Sequence, residues 1–154
     1  MTLFLGTHQN RLDAKGRVSV PAAFRAALRD GADSASGGIV LRPSFKHPCV
    51  EAWPANEFQA LAAPLHRLDL FSEEHDDLAS TLYAEAFPAD IDKEGRIVLP
   101  DALIAHAALH ETVVFMGLGR IFQIWEPQAA EGRRAEARER ARARGLTLPG
   151  AGLS

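Results

Sequence analysis

Nine residues, Asp13-Ala14-Lys15-Gly16-Arg17-Val18-Ser19-Val20-Pro21, recur as Asp92-Lys93-Glu94-Gly95-Arg96-Ile97-Val98-Leu99-Pro100. Asp, Gly, Arg and Pro are identical at a constant offset of 79, and the apolar positions swap like for like, Val18 for Ile97 and Val20 for Leu99. A chain of 154 residues with such a duplication builds a pseudo-symmetric fold more readily than a catalytic site. Whatever differs between the two copies then becomes the clue to function.

The repeat extends past the nonapeptide. Leu12 matches Ile91 before it, and Ala23, Phe24 and Ala26 match Ala102, Leu103 and Ala105 after it. Ile39-Val40-Leu41 corresponds to Val113-Val114-Phe115 at an offset of 74, and Ala52-Trp53-Pro54 to Ile124-Trp125-Glu126-Pro127 at 72. The drop from 79 to 72 gives the first copy about seven extra residues. Gly31 to Gly38 and Pro43 to Pro48, rich in turn formers, are the places that tolerate insertion. Two copies fall short of a solenoid, which needs at least about three repeats, and suit a pseudo-dimer instead.

Each copy reads as short strands around a helical turn. His8 to Leu12 and Arg17 to Val20 are read as half-buried strands, the second alternating polar and apolar. Gly16 between them suits the positive φ of a hairpin turn. Pro21 suits the first position of a helix, where a missing N–H costs nothing. Phe24 and Leu28 share that helix's face, and Gly31 can end it. Pro100 opens the corresponding helix, which carries Leu103, and each copy closes with a strand pair ending at Trp53 or Trp125. Between the copies, roughly Ala55 to Tyr83, Pro64 breaks a helical linker in two. Ser72 reads as an N-cap followed by Glu73, Glu74, Asp76 and Asp77, acids that complement the positive end of a helix. Phe71, Leu78 and Leu82 are predicted as the buried stripe beneath.

The expected class is mainly β with short helices, an α+β fold. Its parts are a first unit at 7–54, a helical linker at 55–82, a second unit at 83–126 and an Arg-rich tail at 127–154. The tail is read as a frayed helix or a disordered segment, with Glu136 and Arg140 at a helical i, i+4 spacing. Hydrophobic content of 47% supports a sizeable core. The apolar patch at Leu3-Phe4-Leu5 is too short for a signal peptide, and no run approaches a membrane-spanning length. Cys49 is the only cysteine, which excludes an internal disulfide and points to a reducing cytoplasm; it reads as packed rather than reactive.

The net charge of −3 argues at first against a nucleic-acid partner. The charge is unevenly placed. Residues 1 to 29 carry Arg11, Lys15, Arg17, Arg25 and Arg29 against Asp13 alone. The matching stretch 85 to 101 carries Lys93 and Arg96 against Glu85, Asp90, Asp92, Glu94 and Asp101. Lys15 is answered by Glu94. A local basic hairpin can bind phosphate on a mildly acidic chain, although such arginines can equally be solvated surface. Asp-x-x-x-Arg likewise has two readings: an ion pair that steadies the turn, or an Arg braced to present its planar fork to phosphate or guanine. The acidic surroundings favour the structural role for Arg96.

The doubled D-x-x-x-R-x-x-x-P, with His47-Pro48-Cys49 in the first copy and Phe122-Gln123-Ile124-Trp125 closing the second, resembles the MraZ family of bacterial transcriptional regulators over roughly residues 1 to 130. The resemblance implies two AbrB-like swapped-hairpin units that interleave into one small pseudo-dimeric β-barrel. It also implies a homo-oligomeric ring on double-stranded DNA, bound at direct repeats in the promoter of a division and cell-wall gene cluster that the protein represses, in the cytoplasm and associated with the nucleoid. By position the motif residues are Asp13, Arg17 and Pro21, and Asp92, Arg96 and Pro100, with Gly16 and Gly95 in the turns. Arg11, Lys15 and Arg17 form the expected DNA-binding edge. Two departures, the acidic Ser72 to Asp77 stretch and Ile104 where an Arg often follows, weaken a DNA role for the second copy.

Two other classes remain in view. G-x-S-x-G, H-E-x-x-H and phosphate-loop signatures are absent, so the chain is not expected to be an enzyme and carries no sign of a cofactor. His106 and His110 stand i, i+4 but lack an evident third ligand, so no metal site is expected. A protein-binding module such as an antitoxin shares the hairpin fold, but antitoxins usually carry one motif rather than two.

Overall fold

The duplicated sequence folds into duplicated elements in the computed structural model, which describes residues 3–31 and 38–150. The first copy supplies β1 (Thr7–Arg11), β2 (Arg17–Ser19), α1 (Ala22–Gly31), β3 (Ile39–Pro43) and β4 (Val50–Pro54). The linker holds α2 (Ala55–Ala62), a 3-10 turn (Ala63–Arg67) and α3 (Glu73–Leu82). The second copy supplies β5 (Phe87–Ala89), β6 (Arg96–Val98), α4 (Asp101–His106), β7 (Thr112–Gly117) and β8 (Phe122–Trp125), and α5 (Pro127–Ala143) follows. The inserted loop predicted at Gly31 to Gly38 falls mostly on 32–37, outside the described residues.

Six strands form one antiparallel sheet in the order β1-β7-β8-β4-β3-β5. That order is a palindrome when the copies are exchanged. The first strand of each copy leaves its own copy: β1 pairs with β7, and β5 pairs with β3. The registers obey the same exchange. His8 faces Phe115 as Phe87 faces Leu41. Arg17–Val98 and Ser19–Arg96 flank the Val18–Ile97 pair, and Val50–Ile124 and Ala52–Phe122 flank the Glu51–Gln123 pair. A pseudo-two-fold axis therefore passes through Val18–Ile97 at one end and Glu51–Gln123 at the other.

Strand alternation sorts the two faces of the sheet. Toward β2 and β6, Leu41, Val50, Ala52, Phe115, Phe122 and Ile124 form one core with Val18 and Ile97. Phe24 of α1 fills its centre, edge-on to Phe4 at 5.3 Å and tilted against Phe122 at 5.0 Å. On the outer face Val114, Met116 and Trp125 pack with Cys49 and with Ala130 of α5. Glu126 caps α5 by accepting from the Ala129 and Gln128 N–H groups, and Pro127 opens it. Burial pushes the Cys49 thiol up to about 12, so it is a packing group at neutral pH.

Two expectations need correction. The barrel does not close: β2 and β6 pair with each other as a separate two-stranded ribbon, and the sheet keeps β1 and β5 as edges. The three-residue strands β2 and β6 end at prolines, and β2 touches its own hairpin partner through the single bridge Leu12–Val18. The linker stripe is not buried either. Phe71 is 88% exposed and Leu78 45%, while Leu82 is half-buried. A polar clamp holds α3 instead. The buried Arg42 donates to Glu51 Oε1 and to the Thr81 carbonyl near the end of the helix, each at 3.2 Å, with Phe45 lying 4.4 Å from its guanidinium. A cation there also complements the negative end of the helix. Ser72 caps the other end as predicted, accepting from the His75 N–H.

Because strands of each copy are completed by the other, the copies cannot unfold separately. Ile97→Ala, at the axis, is expected to cost about 2–5 kcal/mol. Urea unfolding of the wild-type chain, followed by tryptophan fluorescence and by circular dichroism, should show one common midpoint that falls in the variant; two separate transitions would contradict the interleaved core.

Candidate nucleic-acid interface

The duplicated motif builds the same turn twice. In the first, the Gly16 N–H donates to the Asp13 carbonyl and the Asp13 N–H to the Arg17 carbonyl. One oxygen of the Asp13 carboxylate accepts the Lys15 and Arg17 N–H groups at 3.0 and 2.8 Å, and the other accepts Arg17 Nε at 2.7 Å. In the second, Asp92 accepts the Glu94 and Arg96 N–H groups, each at 2.9 Å, and Arg96 Nε at 3.0 Å. Gly16 and Gly95 sit at φ +81° and +80°, a region that favours glycine. A Cβ on Gly16 would also lie 2.9 Å from the Leu99 carbonyl, whose own residue donates its N–H to Gly16. The Val20 N–H donates to Gly95 in the equivalent contact, so each turn is braced by the other copy. Pro21 and Pro100 stand just before α1 and α4 and accept from the Phe24 and Leu103 N–H groups, closing the first turn of each helix.

The equal geometry carries unequal charge. Arg96 donates through its fork to Glu94 as well as to Asp92. Arg17 has Asp13 as its only ion-pair partner among the described residues, because Lys15 occupies the Glu94 position. Arg11 is exposed at the end of β1 and Lys15 at the tip of the turn, with Arg17 half-buried between them. Lys15 and Arg17 thus share one turn, while Arg11 lines a cleft beside it with Asp13, Asp101 and Glu111. Arg25 and Arg29 go elsewhere: they line a shallow cleft with Asp90 and Asp92 of the second copy. Ile104, at the Arg25 position of the second copy, lies over Gly16 instead.

Asn10 was not singled out in the sequence, yet its amide donates to the Ser19 carbonyl at 2.6 Å and ties β1 to β2. β1 carries only polar side chains, which made it look like ordinary solvent face. The His106–His110 pairing on one helix face is not formed. α4 ends at His106, Ala108 turns at φ 52°, and His106 Nε2 lies 3.2 Å from the His47 carbonyl oxygen.

The turn carboxylates give a signed pH dependence. The Arg17 backbone N–H, then its side chain and the Lys15 N–H, hold Asp13 below the ordinary carboxylate value against an opposing desolvation effect. The Arg96 backbone N–H leads the same set for Asp92. A folded pKa below the unfolded one stabilises above the unfolded value, about 3.9, and that stabilisation is lost as pH falls through the folded value. Asp13→Asn with Asp92→Asn should therefore melt lower than wild type near pH 6 and lose less on acidification below about pH 4. Melting curves across pH check this; parallel pH profiles for the two proteins would contradict the role of the turns.

Comparison with known proteins agrees with the repeat. The family model for the MraZ protein, described as antitoxin-like, matches residues 3–80 and 82–144. The chain is 64% identical over 152 residues to the transcriptional regulator MraZ of Gluconacetobacter diazotrophicus, covering 99% of this chain and 95% of that protein. It is 61% identical over 142 residues to the transcriptional regulator MraZ of Gluconobacter oxydans, at 92% and 87% coverage. Identity to the protein of the same name from Rickettsia bellii is 39% over 149 residues, at 96% and 97% coverage. A repeat that interleaves across a two-fold axis, matched by this family over nearly its whole length, means that the chain belongs to the MraZ family.

Proposed function

We propose that this chain is a sequence-specific DNA-binding transcriptional regulator whose DNA-facing edge is Arg11, Lys15 and Arg17. The observation that carries the reading is the charge difference between two turns of one geometry. At the first turn, an Arg braced by one carboxylate keeps terminal N–H groups for a phosphate or a guanine edge. At the second turn, Glu94 takes that fork, and Asp90 and Asp92 would add like-charge repulsion against a phosphate backbone. Arg96 therefore serves the fold.

The target is a set of direct repeats in the promoter of a division and cell-wall gene cluster, bound by a homo-oligomeric ring that represses its own transcription in the cytoplasm, at the nucleoid. One turn offers few phosphate contacts, and several arrayed on one assembly raise affinity through effective concentration. We read 7–54 and 83–126 as the two units, 55–82 as their linker and 127–154 as an appended segment. The family is one of regulators and not of enzymes. Among the described residues no helix is long and apolar enough to cross a membrane. An antitoxin-like protein-binding role is the alternative; a pull-down set against a DNA-shift assay separates the two.

Arg17→Ala should lose specific binding while the protein stays folded and oligomeric, at about 1–3 kcal/mol per site. Arg96→Ala should keep DNA binding and melt lower. Wild-type affinity should fall steeply with salt as counterions are released, and an operator with several repeats should bind far better than one with a single repeat. Gel shifts with melting curves decide it: loss of binding in Arg96→Ala alone, at unchanged stability, would reverse the assignment.

A further inference from the structure

The outer face of the sheet carries a groove that DNA binding at the Arg17 edge leaves unused. It lies at the Glu51–Gln123 end of the pseudo-two-fold axis, whereas the β2–β6 ribbon and its turns lie at the Val18–Ile97 end. A duplex held at the ribbon end is separated from the groove by the core. The groove, about 660 Å³, has Arg133, Arg134 and Arg138 of α5 on one side. Phe45 and Leu118, 64% and 50% exposed, add apolar surface, and Lys46 adds a further cation. Arg133 is paired with Glu136, but Arg134, Arg138 and Lys46 have no ion-pair partner among the described residues. Burial first, and then Arg133, lower the pKa of His47 in the groove, with Glu136 and Glu51 opposing.

A matching surface lies on the same chain. Leu70 and Phe71, 63% and 88% exposed, precede the exposed acids Glu73, Glu74, Asp76 and Asp77 at the start of α3. Phe71 at that exposure occupies no groove of its own chain and is open to a second molecule.

We propose that the Leu70–Asp77 segment of one copy docks into the α5 groove of a second copy, apolar residues against Phe45 and Leu118 and acids against Arg134 and Arg138. The proposal rests on the oligomeric reading above and names its contact surface. In the ring read above, the contact runs head to tail, the groove of one copy against the segment of the next, until the rotation closes.

The test is a charge exchange followed by light scattering over a range of concentrations. One variant carries Arg134→Glu and Arg138→Glu, giving an acidic groove and an acidic segment. The other carries Glu73→Arg and Glu74→Arg, giving a basic groove and a basic segment. Each alone should be monomeric at concentrations where wild type is assembled, and their equimolar mixture should reassemble. Phe71→Ser, at an exposed position, should weaken assembly at least tenfold without lowering the melting temperature. Wild-type assembly by either exchange variant alone, or failure of two folded variants to reassemble when mixed, would overturn this contact while leaving the oligomeric reading intact. A wild-type protein that is monomeric throughout would overturn both.

Discussion

The first strand of each copy has no partner within its own copy, and the rest of the structure depends on that constraint. β1 completes the second copy's β7, and β5 completes the first copy's β3. Neither half can bury its apolar strand face alone, so the duplication is a folding requirement as well as an ancestry. The same exchange delivers each turn to the other copy. Gly16 accepts from Leu99, and Gly95 from Val20. The exposed turn tips therefore stand on a shared core, which lets a short, solvated loop hold one conformation without large contacts of its own.

On such a frame, function has to come from what breaks the symmetry. The backbone of the two turns is the same to within a few tenths of an ångström in every equivalent hydrogen bond. Lys15 against Glu94 and Arg25 against Ile104 are the substitutions that change the field. The first frees the Arg17 fork. The second sends a cation across the axis onto the acidic turn, where it lines a cleft with Asp90 and Asp92. The outer face breaks the symmetry differently: Arg42 and Glu51 stand where the second copy has Met116 and Gln123. Trp53 and Trp125 nonetheless donate to the equivalent side chains, Glu51 and Gln123. The charged pair tethers the linker, and the apolar residue seats α5.

The repeat, the Gly turns, the Pro-started helices and the Ser72 cap were legible in the sequence because each depends on residues a few positions apart. The exchange of β1 and β5 was not, since alternation marks a strand without naming its partner. Barrel closure was expected from resemblance, but β2 and β6 pair with each other and β2 meets the sheet through the bridge Leu12–Val18. Periodicity placed Phe71 and Leu78 inside, but α3 is held at its C-terminal end by Arg42, a polar tether that hydrophobic patterning does not report. The seat of α5 rests on Ala130 and the Glu126 cap, with no large apolar residue to announce it. His106 and His110 were read on one helix, yet the chain turns at Ala108, where no Gly or Pro gives warning.

The chain has three lysines, and each reports on a different surface: Lys15 at the first turn, Lys93 at the second and Lys46 in the outer groove. Brief chemical acetylation with and without operator DNA, read by mass spectrometry, samples all three in one measurement. Lys15 is expected to be protected by DNA, while Lys93 keeps its reactivity and Lys46 responds to protein concentration rather than to DNA. Protection of Lys93 with Lys15 still reactive would contradict the assignment of DNA binding to the first turn.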